Sequence, residues 1–268
     1  MSDTTLLHEL ISQATARSDG RSALVHDKSS LAYGELQDQL VRFSSGLMAL
    51  GTQRGERVAI YLEKRFETVI ASFGAPAAGA VFVPLNPLLK PEQVCYIIRD
   101  CNVRVLITSR ERLALLADTL TQCHDLRHVV VLNSPEPLPT SGPISYSSWS
   151  DLLEAPQKPG HRVIDTDVAG ILYTSGSTGK PKGVVLSHRN MVAGAKSVAS
   201  YLDNNADDTL LAALPLSFDA GFSQLTTAFH VGARVVLLNY LLPRDVIKAI
   251  EREKVTGLTA VPPLYIQL

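Results

Sequence analysis

The 268-residue chain lacks an excess of charge of either sign. It has 25 Lys and Arg against 26 Asp and Glu, which gives a formal net charge of −1. Binding to nucleic acid or to an anionic membrane surface rests on a basic excess, which this composition does not supply. The chain also lacks sequence repeats and low-complexity tracts. We therefore expect a globular protein whose partners do not include nucleic acid.

Cysteine is scarce, and its spacing is wrong for a metal site. The three cysteines, Cys95, Cys101 and Cys123, contain no C-x-x-C pair. The N-terminal residues 1–5 lack the basic n-region of a signal peptide. An odd number of cysteines without a secretory signal favours reduced, mostly buried thiols in a cytoplasmic protein.

One uncharged run is long enough to suggest a membrane helix. No charged residue occurs from Thr68 to Leu89, and about 20 apolar residues cross a bilayer. Pro76, Gly79 and Pro84 interrupt this run, however, and such residues break helices. A buried helix, a glycine turn and a buried strand explain it better, so we expect no membrane span.

Apolar runs of strand length alternate with segments of helical periodicity along most of the chain. Residues 58–62 and 128–132 are typical of strands, and residues 66–78 are typical of a helix. This alternation predicts an α/β fold in which parallel sheets are flanked by helices. Residues 133–160 are rich in Pro and Ser and predict a long irregular connection, with one turn near residues 149–153.

One loop is more informative than any other segment. Between the apolar runs 171–173 and 184–186, both suited to buried strands, the chain reads Thr-Ser-Gly-Ser-Thr-Gly-Lys-Pro-Lys-Gly. Glycine lets a backbone approach a ligand closely, and hydroxyl and successive N–H groups bind anions. Pro181 favours an extended Lys180, so we expect the chain to leave the loop as a strand that begins near Lys182. The predicted phosphate-binding residues are Thr174, Ser175, Gly176, Ser177, Thr178, Gly179 and Lys182.

Two other interpretations of this loop are weaker. A Walker A loop has four residues between its first Gly and a Gly-Lys pair that precedes Ser or Thr. Gly176 and Gly179 are too close together for that pattern, and Pro181 follows Lys180. The second interpretation is a flexible surface hairpin with solvated lysines. We expect Lys180 to face solvent and Lys182 to reach a phosphate.

The same loop resembles the phosphate loop of the adenylate-forming superfamily, which contains acyl-CoA synthetases, peptide-synthetase adenylation domains and luciferases. Three more segments resemble core elements of that superfamily, in the same order. They are Leu-Ala-Tyr-Gly-Glu-Leu at 31–36, Ala-Gly-Ala-Val-Phe-Val-Pro-Leu-Asn at 78–86 and Leu-Pro-Leu-Ser-Phe-Asp at 214–219. The chain is thereby identified as similar to the N-terminal portion of the large domain of AMP-dependent acyl-CoA ligases.

The resemblance implies two packed αβ sub-lobes in an incomplete N-terminal adenylation domain that spans residues 1–268. Residues 51–205 would form the phosphate-loop lobe, and residues 1–50 with 206–268 would form part of the second lobe. The superfamily continues past residue 268, so we expect a truncated domain with little or no adenylation activity of its own. The family's catalytic lysine and main Mg²⁺ contact are expected outside this chain, so no catalytic residue or metal ligand is assigned within it.

The resemblance also implies a reaction. Members join a carboxylic acid to ATP with the help of Mg²⁺, release pyrophosphate, and pass the acyl group to a thiol of CoA or of a carrier arm. An acyl-CoA ligase of fatty acid metabolism is therefore expected, with ATP, a carboxylic acid and CoA as partners. Phe218 and Asp219 are the predicted substrate-binding residues.

Asp219 leaves an alternative open. In amino-acid-activating relatives an Asp at this position pairs with the substrate's amino group, whereas many fatty-acyl relatives have His. An amino-acid adenylation domain of the peptide-synthetase type is thus one alternative function, and a non-catalytic nucleotide-binding or partner module is another. Asp219 can also be a simple helix cap. For His188 and Arg189, at the start of the next helix, we expect a structural role rather than a phosphate contact.

Overall fold

The structure is a computed structural model, and it describes residues 4–133, 137–139, 142–174 and 180–268. The strands in these ranges are β1 (Ser22–His26), β2 (Ser29–Ala32), β3 (Arg57–Tyr61), β4 (Val81–Pro84), β5 (Val103–Ser109), β6 (His128–Leu132), β7 (Ser145–Ser148), β8 (Val168–Thr174), β9 (Lys182–Ser187), β10 (Thr209–Ala212), β11 (Arg234–Leu237) and β12 (Gly257–Leu258). The helices are α1 (Glu9–Ser18), α2 (Tyr33–Ala49), α3 (Phe66–Ala78), α4 (Pro91–Asp100), α5 (Arg110–Leu120), α6 (Trp149–Leu153), α7 (His188–Tyr201), α8 (Asp219–Val231), α9 (Pro243–Glu253) and α10 (Pro262–Gln267).

The chain divides into two compact units, and each has its own sheet. The first unit consists of the residues up to Asp38, Lys64–Phe66 and His188–Leu268. The second unit consists of Gln39–Glu63 and Glu67–Ser187. The predicted lobes have other boundaries. The prediction groups residues 39–50 with residues 206–268, whereas the structure places them in the second unit. It groups residues 188–205 with the phosphate-loop lobe, whereas the structure places them in the first unit.

The second unit contains a seven-stranded sheet of order β7-β6-β5-β3-β4-β8-β9. All of its neighbouring strands are parallel except β8 and β9, which form an antiparallel pair at one edge. Helices α4 and α5 cover one face of this sheet, where Val94, Ile98, Leu106 and Leu116 are buried in a common core. The α/β fold predicted from the alternation of strands and helices is confirmed.

The first unit contains a five-stranded sheet of order β12-β10-β11-β1-β2. Its pairs are parallel except for the antiparallel pair β1–β2. Leu211 and Val236 of this sheet share a core with Val246 and Ala249 of α9 and with Leu264 of α10. Each sheet therefore combines parallel strands with one antiparallel pair at an edge.

Residues 31–36 have a structural role in this unit. The buried Tyr33 donates a hydrogen bond from its hydroxyl to the carbonyl O of Ala233, at 2.7 Å. A Cβ on Gly34 would lie 2.1 Å from the carboxylate of Asp19, so a side chain there would require that carboxylate to move. Glu35 accepts a hydrogen bond from the N–H of Ala32 at 2.8 Å, which satisfies a donor at the start of α2.

The uncharged run from Thr68 to Leu89 forms most of α3, a turn and the buried strand β4, as predicted. Gly79 has a φ of +84° in the turn between them, a conformation that favours glycine. Among the described residues, no helix is long and apolar enough to cross a membrane.

Two local expectations were wrong. The connection 133–160 contains a strand, β7, in addition to the expected turn, which is α6. The exit run of the loop was expected to be buried, but Val184 and Val185 of β9 are 46% and 58% exposed. Strand β9 lies at the edge of its sheet, where the side chains lack the cover that central strands have.

Strand β8, which leads to the predicted phosphate loop, is parallel to β4 and joins it through the pair Phe82–Gly170. A Cβ on Gly170 would lie 2.4 Å from the ring of Phe82. The ring and the strand can be this close only because residue 170 has no side chain.

We expect Gly170→Ala to lower the free energy of unfolding by about 1–3 kcal/mol, because the added methyl overpacks this contact. Gly194→Ala is the matched control, since no heavy atom lies within 4 Å of a Cβ built there. In helix α7 the control should be neutral or stabilising by up to about 1 kcal/mol. Urea unfolding followed by circular dichroism measures both, and equal effects would contradict the argument.

Candidate functional site

The predicted phosphate loop is the connection of an antiparallel hairpin. Strands β8 and β9 pair in a register that puts Tyr173 opposite Gly183 and Thr174 opposite Lys182. The expectation that the chain leaves the loop as a strand is confirmed, and that strand begins at Lys182. Thr174 and Lys182 are both exposed. The ladder therefore brings a hydroxyl-bearing and an ammonium-bearing residue together at the two ends of the loop.

The other predicted phosphate-binding residues lie outside the described residues. They are Ser175, Gly176, Ser177, Thr178 and Gly179.

A tyrosine and an aspartate attach this hairpin to helix α4. The hydroxyl of Tyr173 donates to Oδ2 of Asp100, the last residue of α4, at 2.6 Å. Burial, followed by the hydrogen bond to Asp100, raises the pKa of Tyr173, which keeps the phenol neutral as a donor. Tyr96, one turn earlier on α4, donates to the other carboxylate oxygen at 3.4 Å. The hairpin end next to the loop is thus held in place by a carboxylate that two phenols share.

Lys180 and Lys182 have different surroundings. Both are exposed. The ammonium of Lys180 lies 5.9 Å from the centroid of the Tyr96 ring, within range of a cation–π interaction. Lys182 is part of the β-ladder opposite Thr174. The two lysines are therefore placed differently, although only Pro181 separates them in sequence.

Phe218 and Asp219 lie in the first unit, at the N-terminus of α8. Phe218 is the extended N-cap residue, and Asp219 is the exposed first residue of the helix. A Cβ on Gly221 would lie 2.0 Å from the carbonyl O of Pro215, so glycine allows the segment before the helix to pack on its first turn. Within the described part of the chain, the Asp219 carboxylate has no hydrogen bond and does not cap the helix. A carboxylate is favoured at this end by the helix dipole.

A cavity of about 220 Å³ lies along the same helix. Ser223 and Thr227 line it from α8, at four and eight residues after Asp219, which is the spacing of one helix face. Gln224 also lines the cavity, and its amide donates to the carbonyl oxygens of Leu211 and Thr259 at 3.0 and 3.2 Å. That amide connects α8 to residues in or next to β10 and β12. The cavity begins one helical turn after Asp219.

His188 has the structural role expected of it. It is 1% exposed, and its Nδ1 accepts a hydrogen bond from the N–H of Leu7 at 3.0 Å. Its ring meets that of His8 edge to face, with centroids 6.1 Å apart. Burial lowers the pKa of His8, and the contact between the two rings joins the start of α7 to the N-terminal segment.

The whole chain was compared with known proteins. Residues 11–268 match the AMP-binding enzyme family. The chain belongs to this family. The resemblance noted from the sequence is thereby confirmed.

Two curated relatives show how much of a longer protein this AMP-binding chain matches. It is 30% identical to malpinin synthetase of Mortierella alpina, over 100% of this chain and 3% of the relative. It is also 30% identical to surfactin synthase subunit 2 of Bacillus subtilis (strain 168), over 98% of this chain and 7% of the relative. The chain thus spans less than a tenth of each of these relatives.

Two solved structures share the fold of this AMP-binding chain. The anthranilate CoA ligase AuaEII, in complex with anthranoyl-AMP, has a TM-score of 0.89 and 26% identity, over 99% of this chain and 51% of that one. VinN in complex with L-aspartate has a TM-score of 0.82 and 28% identity, over 98% of this chain and 63% of that one.

Lys64 lies near the residues that lead into α8, and the sequence analysis did not single it out. Its ammonium donates to the carbonyl oxygens of Ala213 and Leu214, at 3.0 and 3.4 Å. These carbonyls follow strand β10 and precede the segment that leads to Phe218 and Asp219. Burial lowers the pKa of Lys64 to about 8. The spacing of Asp219, Ser223 and Thr227 indicates one helix face, but no local pattern identifies Lys64.

The lowered pKa of Lys64 makes stability depend on pH. The unfolded lysine holds its proton up to a pKa of 10.5, and the folded one only up to about 8. Between these values the unfolded state binds more protons, so raising the pH stabilises the folded state. Relative to Lys64→Met, the wild-type free energy of unfolding should rise by about 2 kcal/mol from about pH 7.5 to about pH 9.5. Urea unfolding of both proteins measures it, and parallel pH profiles would contradict it.

Proposed function

We propose that this chain supplies ATP-binding and acid-binding residues to an enzyme that activates carboxylic acids. The carboxylate oxygen attacks the α-phosphorus of ATP, pyrophosphate leaves, and an acyl-adenylate is formed. A thiol, in our proposal that of CoA, then attacks the carbonyl carbon and releases AMP. Membership of the AMP-binding family over residues 11–268 supports this reaction class. We place the activity in the cytoplasm.

The pairing of Thr174 with Lys182 is the observation that carries the proposal. We assign the β- and γ-phosphates of ATP to Thr174, Lys182 and the connecting residues Ser175, Gly176, Ser177, Thr178 and Gly179. A hydroxyl and an ammonium are the donors that a polyphosphate requires. Donors in place before the reaction neutralise the charge that develops on departing pyrophosphate.

Mg²⁺ would accompany ATP and offset part of the phosphate charge. Within residues 4–133, 137–139, 142–174 and 180–268, no three His, Cys, Asp or Glu side chains are close enough together to hold a metal ion. We therefore assign no residue of this chain to the metal.

We assign the carboxylic acid substrate to the N-terminus of α8, with Phe218 and Asp219 as its contacts. A carboxylate that is exposed and uncommitted at a helix N-terminus can pair with an amine on the substrate. Two relatives are relevant to this choice: VinN was solved with the amino acid L-aspartate, and AuaEII is a CoA ligase of anthranilate, an acid that carries an amine. An amino-acid adenylation domain that delivers to a carrier thiol is therefore the second candidate function.

Exchange of labelled pyrophosphate into ATP tests the phosphate assignment, in the protein that carries this chain. We expect Lys182→Ala to lower the exchange rate about 10²–10³-fold, the usual effect of removing a donor aimed at developing charge. Lys180→Ala is the matched control, because its ammonium faces Tyr96, and it should change the rate only a few fold. Equal losses in the two variants would refute the assignment.

A panel of fatty, aryl and amino acids in the same exchange reaction tests the acid assignment. If Asp219 pairs with a substrate amine, Asp219→Ala should raise KM for amino acids at least tenfold and spare acids without an amine. The pairing predicts loss of a charge-assisted hydrogen bond, worth about 1.5–3 kcal/mol. A uniform loss across the panel would instead assign Asp219 to the helix alone.

A further inference from the structure

Two thiols that are far apart in sequence lie side by side in the second unit. Cys95 is in α4 and Cys123 follows α5, and they are 4% and 3% exposed. Their Sγ atoms are 3.4 Å apart. Both thiols also face the carbonyl O of Thr119, at 3.4 Å from Cys95 and 3.9 Å from Cys123. Neither thiol is part of the site described above.

One member of the pair lies at a cavity. A cavity of about 520 Å³ is lined by Cys95 together with Tyr96, Asp100 and Gln122. Cys95 lines this cavity and Cys123 does not. We therefore expect a small reagent in this cavity to react with Cys95 before Cys123.

We propose that Cys95 and Cys123 form a reversible disulfide when a small-molecule disulfide enters this cavity. A disulfide has an S–S distance of about 2.05 Å, so the two sulfurs must approach by roughly 1.4 Å from their separation of 3.4 Å. The bond would tie α4 to the turn after α5 and close a span of 28 residues. It would restrain the helix whose last residue, Asp100, holds Tyr173 of the hairpin.

The reaction has two balanced exchange steps. Cys95 loses its proton and attacks one sulfur of the small disulfide, which forms a mixed disulfide and releases one small thiol. Cys123 then loses its proton and attacks the Cys95 sulfur, which releases the second small thiol. Two protein thiols are oxidised, and one small disulfide is reduced to two thiols.

The surroundings of Cys123 support this order. Burial, followed by the hydrogen bond with Cys95, raises the pKa of Cys123 to about 12. A protonated thiol is a poor nucleophile, so Cys123 suits the second, intramolecular step, in which proximity compensates for low thiolate content.

The third cysteine provides an internal control. Cys101 is half-buried, and its Sγ contacts the carbonyl O of Ile97 at 3.2 Å. Tryptic cleavage after arginine places the three cysteines in three separate peptides, which are residues 66–99, 100–104 and 113–127.

The test is incubation of the folded protein with oxidised glutathione, followed by alkylation and non-reducing tryptic mapping. We expect titratable thiols to fall from the three of the sequence to one, with peptide 66–99 joined to peptide 113–127. Dithiothreitol should restore all three thiols. Cys101→Ser should leave the cross-link unchanged, and Cys123→Ser should accumulate a glutathione adduct on Cys95.

Three results of the peptide mapping would overturn the proposal. They are three free thiols after oxidation, a glutathione adduct on wild-type Cys95 that persists without a cross-link, and a cross-link that includes peptide 100–104. A cross-link that forms only in denaturant would also refute it, since the native contact between the sulfurs is its basis. If Cys123→Ser fails to fold, the wild-type and Cys101→Ser maps still decide the question.

Discussion

The antiparallel pairing of β8 with β9 is the constraint on which the predicted phosphate loop depends. The ladder ends with Thr174 opposite Lys182, so the separation between the ends of the loop is set by a strand register. The bond from Tyr173 to Asp100 anchors the same end of the hairpin to α4. Ordering a loop and its long side chains costs conformational entropy. Because both ends of the loop are already fixed in the free protein, less conformational entropy is lost when an anion binds.

In the first unit the start of α8 is also positioned before any ligand binds. Here contacts with backbone carbonyls, and not a β-ladder, hold the segment. Gly221 lets the segment before α8 pack on the carbonyl of Pro215, and Lys64 satisfies two carbonyls at the start of that segment. A buried ammonium is tolerated only because those carbonyls accept its hydrogen bonds. Asp219 is thus positioned by groups that do not contact it.

The sequence predicted the fold well wherever periodicity was strong. Helix α3 and strand β6 have clear apolar patterns, and their predicted bounds, 66–78 and 128–132, match the structure. Strand β7 has the sequence Ser-Tyr-Ser-Ser and no apolar alternation, so its pairing with β6 has no local signal. Of the predicted site, the flanking residues Thr174 and Lys182 follow from loop chemistry. The contacts of Lys64 and Gln224 with distant carbonyls could not be predicted, because they depend on tertiary packing.

The cysteines show how a negative conclusion from spacing can be incomplete. The absence of a C-x-x-C motif argues against a metal or redox site of the common local type, and the expectation of buried thiols suits Cys95 and Cys123. Local spacing does not limit contacts between elements, however. Helices α4 and α5 cover the same face of one sheet, so residues from separate helical segments become neighbours. Because α4 carries Cys95 as well as Asp100, the proposed disulfide would act on the helix that holds the β8–β9 hairpin.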